Sequence, residues 1–171
     1  MLHNDLLRQL RYALKFNNLD VIHVFSLMDY DITKAELDHL LKKEDEEGFV
    51  SCRDRTFSAF LDGLIIKNRG KQEGREPQLL TGKKRLSNND ILRKLRIALQ
   101  LRDDQILEVL ALAGFTMSKS ELSALFRKPD HRNYQKCGDQ LLRNFVRGLG
   151  YQSHPNQKQR PEDNVHPCWK K

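Results

Sequence analysis

Two copies of one pattern, Asp45-Cys52-Asp54 and Asp130-Cys137-Asp139, place a thiol among carboxylates as D-x6-C-x-D and have the clearest claim on chemistry. Such a thiol attacks an electrophile only if a base or a positive environment lowers its pKa. The imidazole nearest in sequence, His131, has Glu46 as its counterpart, so one copy lacks the base. The pattern therefore reads as structural. Cys52 and Cys137 fill small buried sites, while Asp54 and Asp139 cap the first turn of a helix and favour its positive end. No catalytic residue is assigned.

Metal and cofactor chemistry find no support either. Cys52, Cys137 and Cys168 are far apart and form no CxxC pair, which argues against a disulfide framework and a cysteine zinc site. The six histidines make no HExxH or other short ligand spacing. Lys42-Lys43-Glu44-Asp45-Glu46-Glu47 gathers four carboxylates, but its counterpart Arg127-Lys128-Pro129-Asp130-His131-Arg132 would repel a cation. Neither GxxxxGK[ST] nor GxGxxG occurs, so no nucleotide cradle is expected.

Basic residues are the better lead. Arg127, Lys128, Arg132 and Lys136 cluster with Tyr134, and Lys83, Lys84 and Arg85 add a second run, a set suited to phosphate backbones or an acidic partner. Residues 106–127 also read loosely as helix, glycine-containing turn, helix, though any helical hairpin would look the same. The charge is unevenly spread: residues 1–69 hold 10 Lys+Arg against 12 Asp+Glu, and residues 70–150 hold 16 against 9. Unlike halves of this kind would also allow self-association, within or between chains.

Positioning these residues requires a repeated scaffold. Sliding the chain by 85 residues aligns 4–64 with 89–149 without a gap, with about a third of the pairs identical. Leu6, Leu7, Leu10, Ala13 and Leu14 recur at helical spacing with Asn4 or Asp5 as N-cap, and Ile91, Leu92, Leu95, Ala98 and Leu99 repeat them. A second helix follows Asn18 and Asp103 and ends near Asp29 and Gly114. Thr33-Lys34-Ala35-Glu36 and Ser118-Lys119-Ser120-Glu121 are capping boxes that open a third. A fourth carries Phe57, Phe60, Leu61 and Leu64, mirrored by Leu142, Phe145, Val146 and Leu149. It also carries Gly63 and Gly148, which a close helix crossing or a helix end would justify.

Sustained period-two alternation is absent, so the predicted class is all-α: two tandem copies of a four-helix unit packed with pseudo-twofold symmetry. The expected organisation is 1–67 first repeat, 68–86 charged exposed linker, 87–150 second repeat and 151–171 a polar, disordered tail. No apolar run reaches membrane-spanning length, and the N-terminus lacks the character of a signal peptide.

The segments Asn4-Asp5-Leu6-Leu7-Arg8, Lys42 to Phe49 with Phe60-Leu61-Asp62-Gly63-Leu64, and Pro129 to Tyr134 with Cys137-Gly138-Asp139-Gln140 support a family resemblance. Over about residues 1–150 the chain resembles the YehS-like family of bacterial proteins, a tandem pair of a domain of unknown function. That resemblance implies the duplicated fold and supplies no activity to carry over. The functional expectation is a cytoplasmic, non-enzymatic protein-interaction or regulatory module without cofactor or membrane partner. A nucleic-acid binder using the basic surface of the second repeat is the alternative, and an enzyme the third reading.

Overall fold

Apolar side chains three and four apart give each helix one buried stripe, and the pairing of those stripes sets the architecture. The computed structural model describes residues 1–71 and 78–157. Its helices are α1 (His3–Ala13), α2 (Asn18–Ser26), α3 (Lys34–Leu41), α4 (Asp54–Arg69), α5 (Asn88–Leu99), α6 (Asp103–Leu112), α7 (Lys119–Leu125) and α8 (Asp139–Ser153), followed by a 3-10 turn at Pro155–Gln157. No strand occurs among the described residues. The chain is all-α, with α1–α4 repeated as α5–α8.

Local chemistry accounts for the starts and stops. Thr33 and Glu36 exchange side-chain and backbone hydrogen bonds at 3.1 and 3.0 Å, and Ser118 and Glu121 do the same at 3.1 and 3.2 Å. Ser87 with Asp90 caps α5, and Asn17 with Asp20 caps α2. The turn after the second helix passes through the left-handed region at Asp29 (φ 53°) and at its counterpart Gly114 (φ 76°). The expected cap of α1 is corrected. Leu2 holds the cap position without a side-chain bond, and Asn4 lies inside the first turn, its amide turned into the core.

Within each copy the second helix packs on the fourth, α2 on α4 and α6 on α8. The first helix instead crosses over: α1 lies on α8, and α5 lies on α4. Exchanging the copies exchanges these two pairs, which is the pseudo-twofold relation, and one apolar core runs through both copies. Gly63 and Gly148 explain the close approach of second and fourth helices. A Cβ at these positions would stand 2.1 Å from the Val24 carbonyl oxygen and 2.0 Å from that of Val109.

The linker and the first residues of the tail depart from expectation. Leu79 and Leu80 pack against the core and Leu86 is buried, because Arg55 donates to the Leu80 carbonyl at 3.3 Å and Asp54 accepts the Leu86 N–H at 2.9 Å. The tail was expected to be disordered from residue 151, yet α8 runs on to Ser153. There Ser153 Oγ donates to the Leu149 carbonyl at 3.1 Å, and His154 stacks on Tyr12 of α1 with ring centroids 4.0 Å apart. The remainder of the expected tail, 158–171, lies outside the described residues.

Candidate interaction surface

Asn4, Asp5, Arg8, Arg11, Cys52 and Asp54 recur in the second copy and are engaged internally in both, whereas the shared pairs Lys43/Lys128 and Asp45/Asp130 are exposed. Asn4 is fully buried: its Nδ2 donates to the Leu40 carbonyl at 2.9 Å and the Val50 carbonyl at 2.8 Å, and its Oδ1 accepts the Cys52 N–H at 2.8 Å. Asn89 repeats this with Leu125, Gln135 and Cys137 at 3.0, 2.9 and 2.9 Å. One amide thus ties the first helix to the end of the third and to the strap leading into the fourth. The sequence reading missed it, since asparagine at a helix start also reads as a cap.

Cys52 and Cys137 are buried beneath these clamps. Burial first, and then the neighbouring Asp54 or Asp139, pushes each thiol up to about 12, so both stay protonated at neutral pH. The aspartates do not cap their helices as expected; the cap positions are Arg53 and Gly138. They bond instead to the entries of the first helices. Asp54 takes the Leu86 N–H and lies 3.5 Å from His3 Nδ1, whereas Asp139 accepts from Asn88 Nδ2 at 2.7 Å and lies 3.7 Å from the Met1 amine. Residues 1 and 86, and 3 and 88, are repeat equivalents, so each carboxylate contacts both copies in the same way. Asn88 chiefly holds the Asp139 carboxyl below its usual range. Burial holds the His3 imidazole low despite Asp54.

The repeated arginines are also engaged. Arg8 pairs with Asp5, Arg93 with Asp90 at 3.7 Å and Arg96 with Asp103 at 2.8 Å, while Arg11 donates to Asn18 at 3.0 Å. Among the described residues, no three His, Cys, Asp or Glu side chains are grouped to hold a metal.

Five of the eight basic-surface residues, Arg127, Lys128, Arg132, Tyr134 and Lys136, share the loop between α7 and α8. Lys128, Arg132 and Lys136 are exposed and join no ion pair among the described residues. Arg127 braces the loop, donating to the Asn133 carbonyl at 3.0 Å, and Tyr134 is half-buried. Lys83, Lys84 and Arg85 are exposed on the linker, bracketed by the Leu80 and Leu86 bonds to the start of α4. The helix-turn-helix-like segment corresponds to α6, the turn at Gly114 and the two turns of α7.

Beside the loop runs a groove of about 840 Å³ that the sequence reading did not find. Phe115, Met117 and Leu141 line it together with Arg127, Arg132 and Lys136. Its equivalent in the first copy, about 630 Å³, is lined by Tyr30, Ile32, Thr56, His39 and the linker's Leu79. The signal was dispersed, because the apolar lining comes from positions that are distant in sequence.

A family model described as a protein of unknown function (DUF1456) matches residues 3–70 and 88–154, once on each copy. The chain belongs to this family. It is 46% identical over 154 residues to "Uncharacterized protein YehS" of Escherichia coli (strain K12), covering 90% of this chain and 97% of that relative. No solved structure matches the chain.

Proposed function

We propose that the protein is a non-enzymatic, cytoplasmic interaction module whose second copy contacts an acidic partner through the α7–α8 loop. The observation that carries this is the uneven use of charge. Asn4, Arg8, Asp54 and their counterparts are bonded internally, whereas Arg132 and Lys136 are exposed, join no ion pair among the described residues and are specific to the second copy, with Glu47 and Ser51 at the equivalent positions; beside them the exposed Lys128 has Lys43 as its counterpart. The equivalent loop of the first copy is acidic, so any anionic partner would distinguish the two. Protonated, buried thiols support the non-enzymatic part of the reading. No helix of the described residues is long and apolar enough to cross a membrane.

The test is binding of the full chain to polyglutamate and to mixed DNA and RNA at low and raised salt. Salt-sensitive binding that disappears in the Arg127→Ala/Lys128→Ala/Arg132→Ala variant is expected. Preference for nucleic acid, with affinity falling steeply with salt, would favour the alternative of a nucleic-acid surface. No binding to any polyanion at low salt would reject a functional basic surface.

A further inference from the structure

Resting on that reading, we propose that the groove of the second copy docks an extended acidic peptide segment, with one aliphatic side chain inserted between α7 and the start of α8. The chain carries its own precedent. In the first copy the non-helical segment at Leu79 and Leu80 crosses the equivalent groove: Leu79 joins its lining, and Arg55 in the first turn of α4 holds the Leu80 carbonyl. In the second copy nothing outside residues 115–141 lines the groove among the described residues.

Three substitutions between the copies make the second groove more receptive. Tyr30 and Thr56 bond across the first at 2.8 Å, whereas Phe115 and Leu141 replace them and make these two positions apolar. His39 lines the first groove where Ala124 stands in the second. The balance of charge shifts as well: Asp29, Asp31 and Glu36 outnumber Arg53 and Arg55 in the first, while Arg127, Arg132 and Lys136 outnumber Glu121 among the described residues that line the second. An apolar patch of Phe115, Met117 and Leu141 within a cationic rim complements an aliphatic residue flanked by carboxylates. A phosphate backbone would use the rim and leave the lining empty, so a peptide fits better than nucleic acid.

The test uses the full chain and a short fluorescein-labelled peptide of glutamate and aspartate with one central leucine. A second peptide has serine in place of the leucine, and a duplex DNA serves as competitor. The leucine peptide should bind roughly tenfold or more tightly than the serine peptide, the range expected for burying one such side chain. Phe115→Tyr/Ala124→His/Leu141→Thr, which installs the first copy's residues and leaves every cationic side chain in place, should abolish that preference without weakening the serine peptide.

Equal binding of the two peptides would overturn the groove proposal and leave the basic-surface reading standing. Failure of both to bind at low salt would overturn both. An unchanged leucine preference in the triple variant would exclude this groove. DNA bound more tightly than either peptide, and unaffected by the triple variant, would reject the peptide in favour of nucleic acid. The serine comparison needs no variant and stays decisive if the triple variant misfolds.

Discussion

The backbone carbonyl of Val24 occupies space that any side chain on residue 63 would need: a Cβ there would come within 2.1 Å of its oxygen. Alanine normally stabilises a helix interior by about 1 kcal/mol relative to glycine, so the sign of Gly63→Ala tests the crossing. We expect a loss of ~1–3 kcal/mol or more in urea denaturation, and the same for Gly148→Ala. Trimming the neighbour with Val24→Ala should not rescue Gly63→Ala, because the obstructing atom belongs to the backbone. A stabilising Gly63→Ala would mean that α2 and α4 are further apart.

Asn4→Ala and Asn89→Ala should each cost about 3 kcal/mol, since each removes the bonds to two carbonyls and one N–H. Asn17, an exposed cap with a single side-chain acceptor bond, provides the comparison: Asn17→Ala should cost only about 1 kcal/mol. Similar losses at all three positions, measured by denaturant midpoints, would reduce the buried amides to ordinary caps.

These two sites mark the boundary of what was legible in the sequence. Repeat length, capping boxes and the sharp turns at Asp29 and Gly114 were readable because their causes lie within a few residues. The role of Asn4 was not, because its acceptors at Leu40 and Val50 are 36 and 46 positions away and asparagine has a common local use at helix starts. The crossover of α1 onto α8 was equally hidden: α1 and α5 present nearly the same apolar stripe, so either would satisfy either fourth helix by pattern. Of the candidate surface, the basic residues were visible by type, whereas the groove beside them required Phe115, Met117 and Leu141 to be brought together by folding.

The buried thiols make stability fall at alkaline pH. A thiol held near 12 when folded ionises from its ordinary value of 9.0 when unfolded, so between these values the unfolded chain binds fewer protons and gains stability relative to the fold. Each thiol then contributes a slope of about −1.4 kcal/mol per pH unit above 9. Subtracting the alkaline profile of Cys52→Ala/Cys137→Ala from that of the wild type isolates this contribution from lysine and tyrosine titration. Coincident profiles from pH 9 to about 11 would show that the thiols ionise freely in the fold. The same protonation should slow native alkylation of Cys52 and Cys137 by about a thousandfold relative to the unfolded chain, the ratio of thiolate fractions at pH 8.

Asp62 on α4 meets Lys94 on α5 at 2.5 Å, with the carboxylate side chain only 4% exposed, so this ion pair joins the two copies within a desolvated interface. Breaking it from the lysine side should be costly, because it leaves the buried Asp62 carboxyl with Ser58 Oγ, 3.4 Å away, as its remaining hydrogen-bond partner among the described residues. We expect Lys94→Met to lose roughly 3 kcal/mol. Asp62→Asn/Lys94→Met should recover part of that loss, because the neutral amide no longer has to be held as an unpaired charge. Recovery by the second substitution distinguishes a buried charge from simple loss of lysine packing, which would make the double variant no better than Lys94→Met. A double-mutant cycle from denaturant curves reads the coupling directly. A coupling near zero would indicate that the pair is solvated and adds nothing to the joining of the copies.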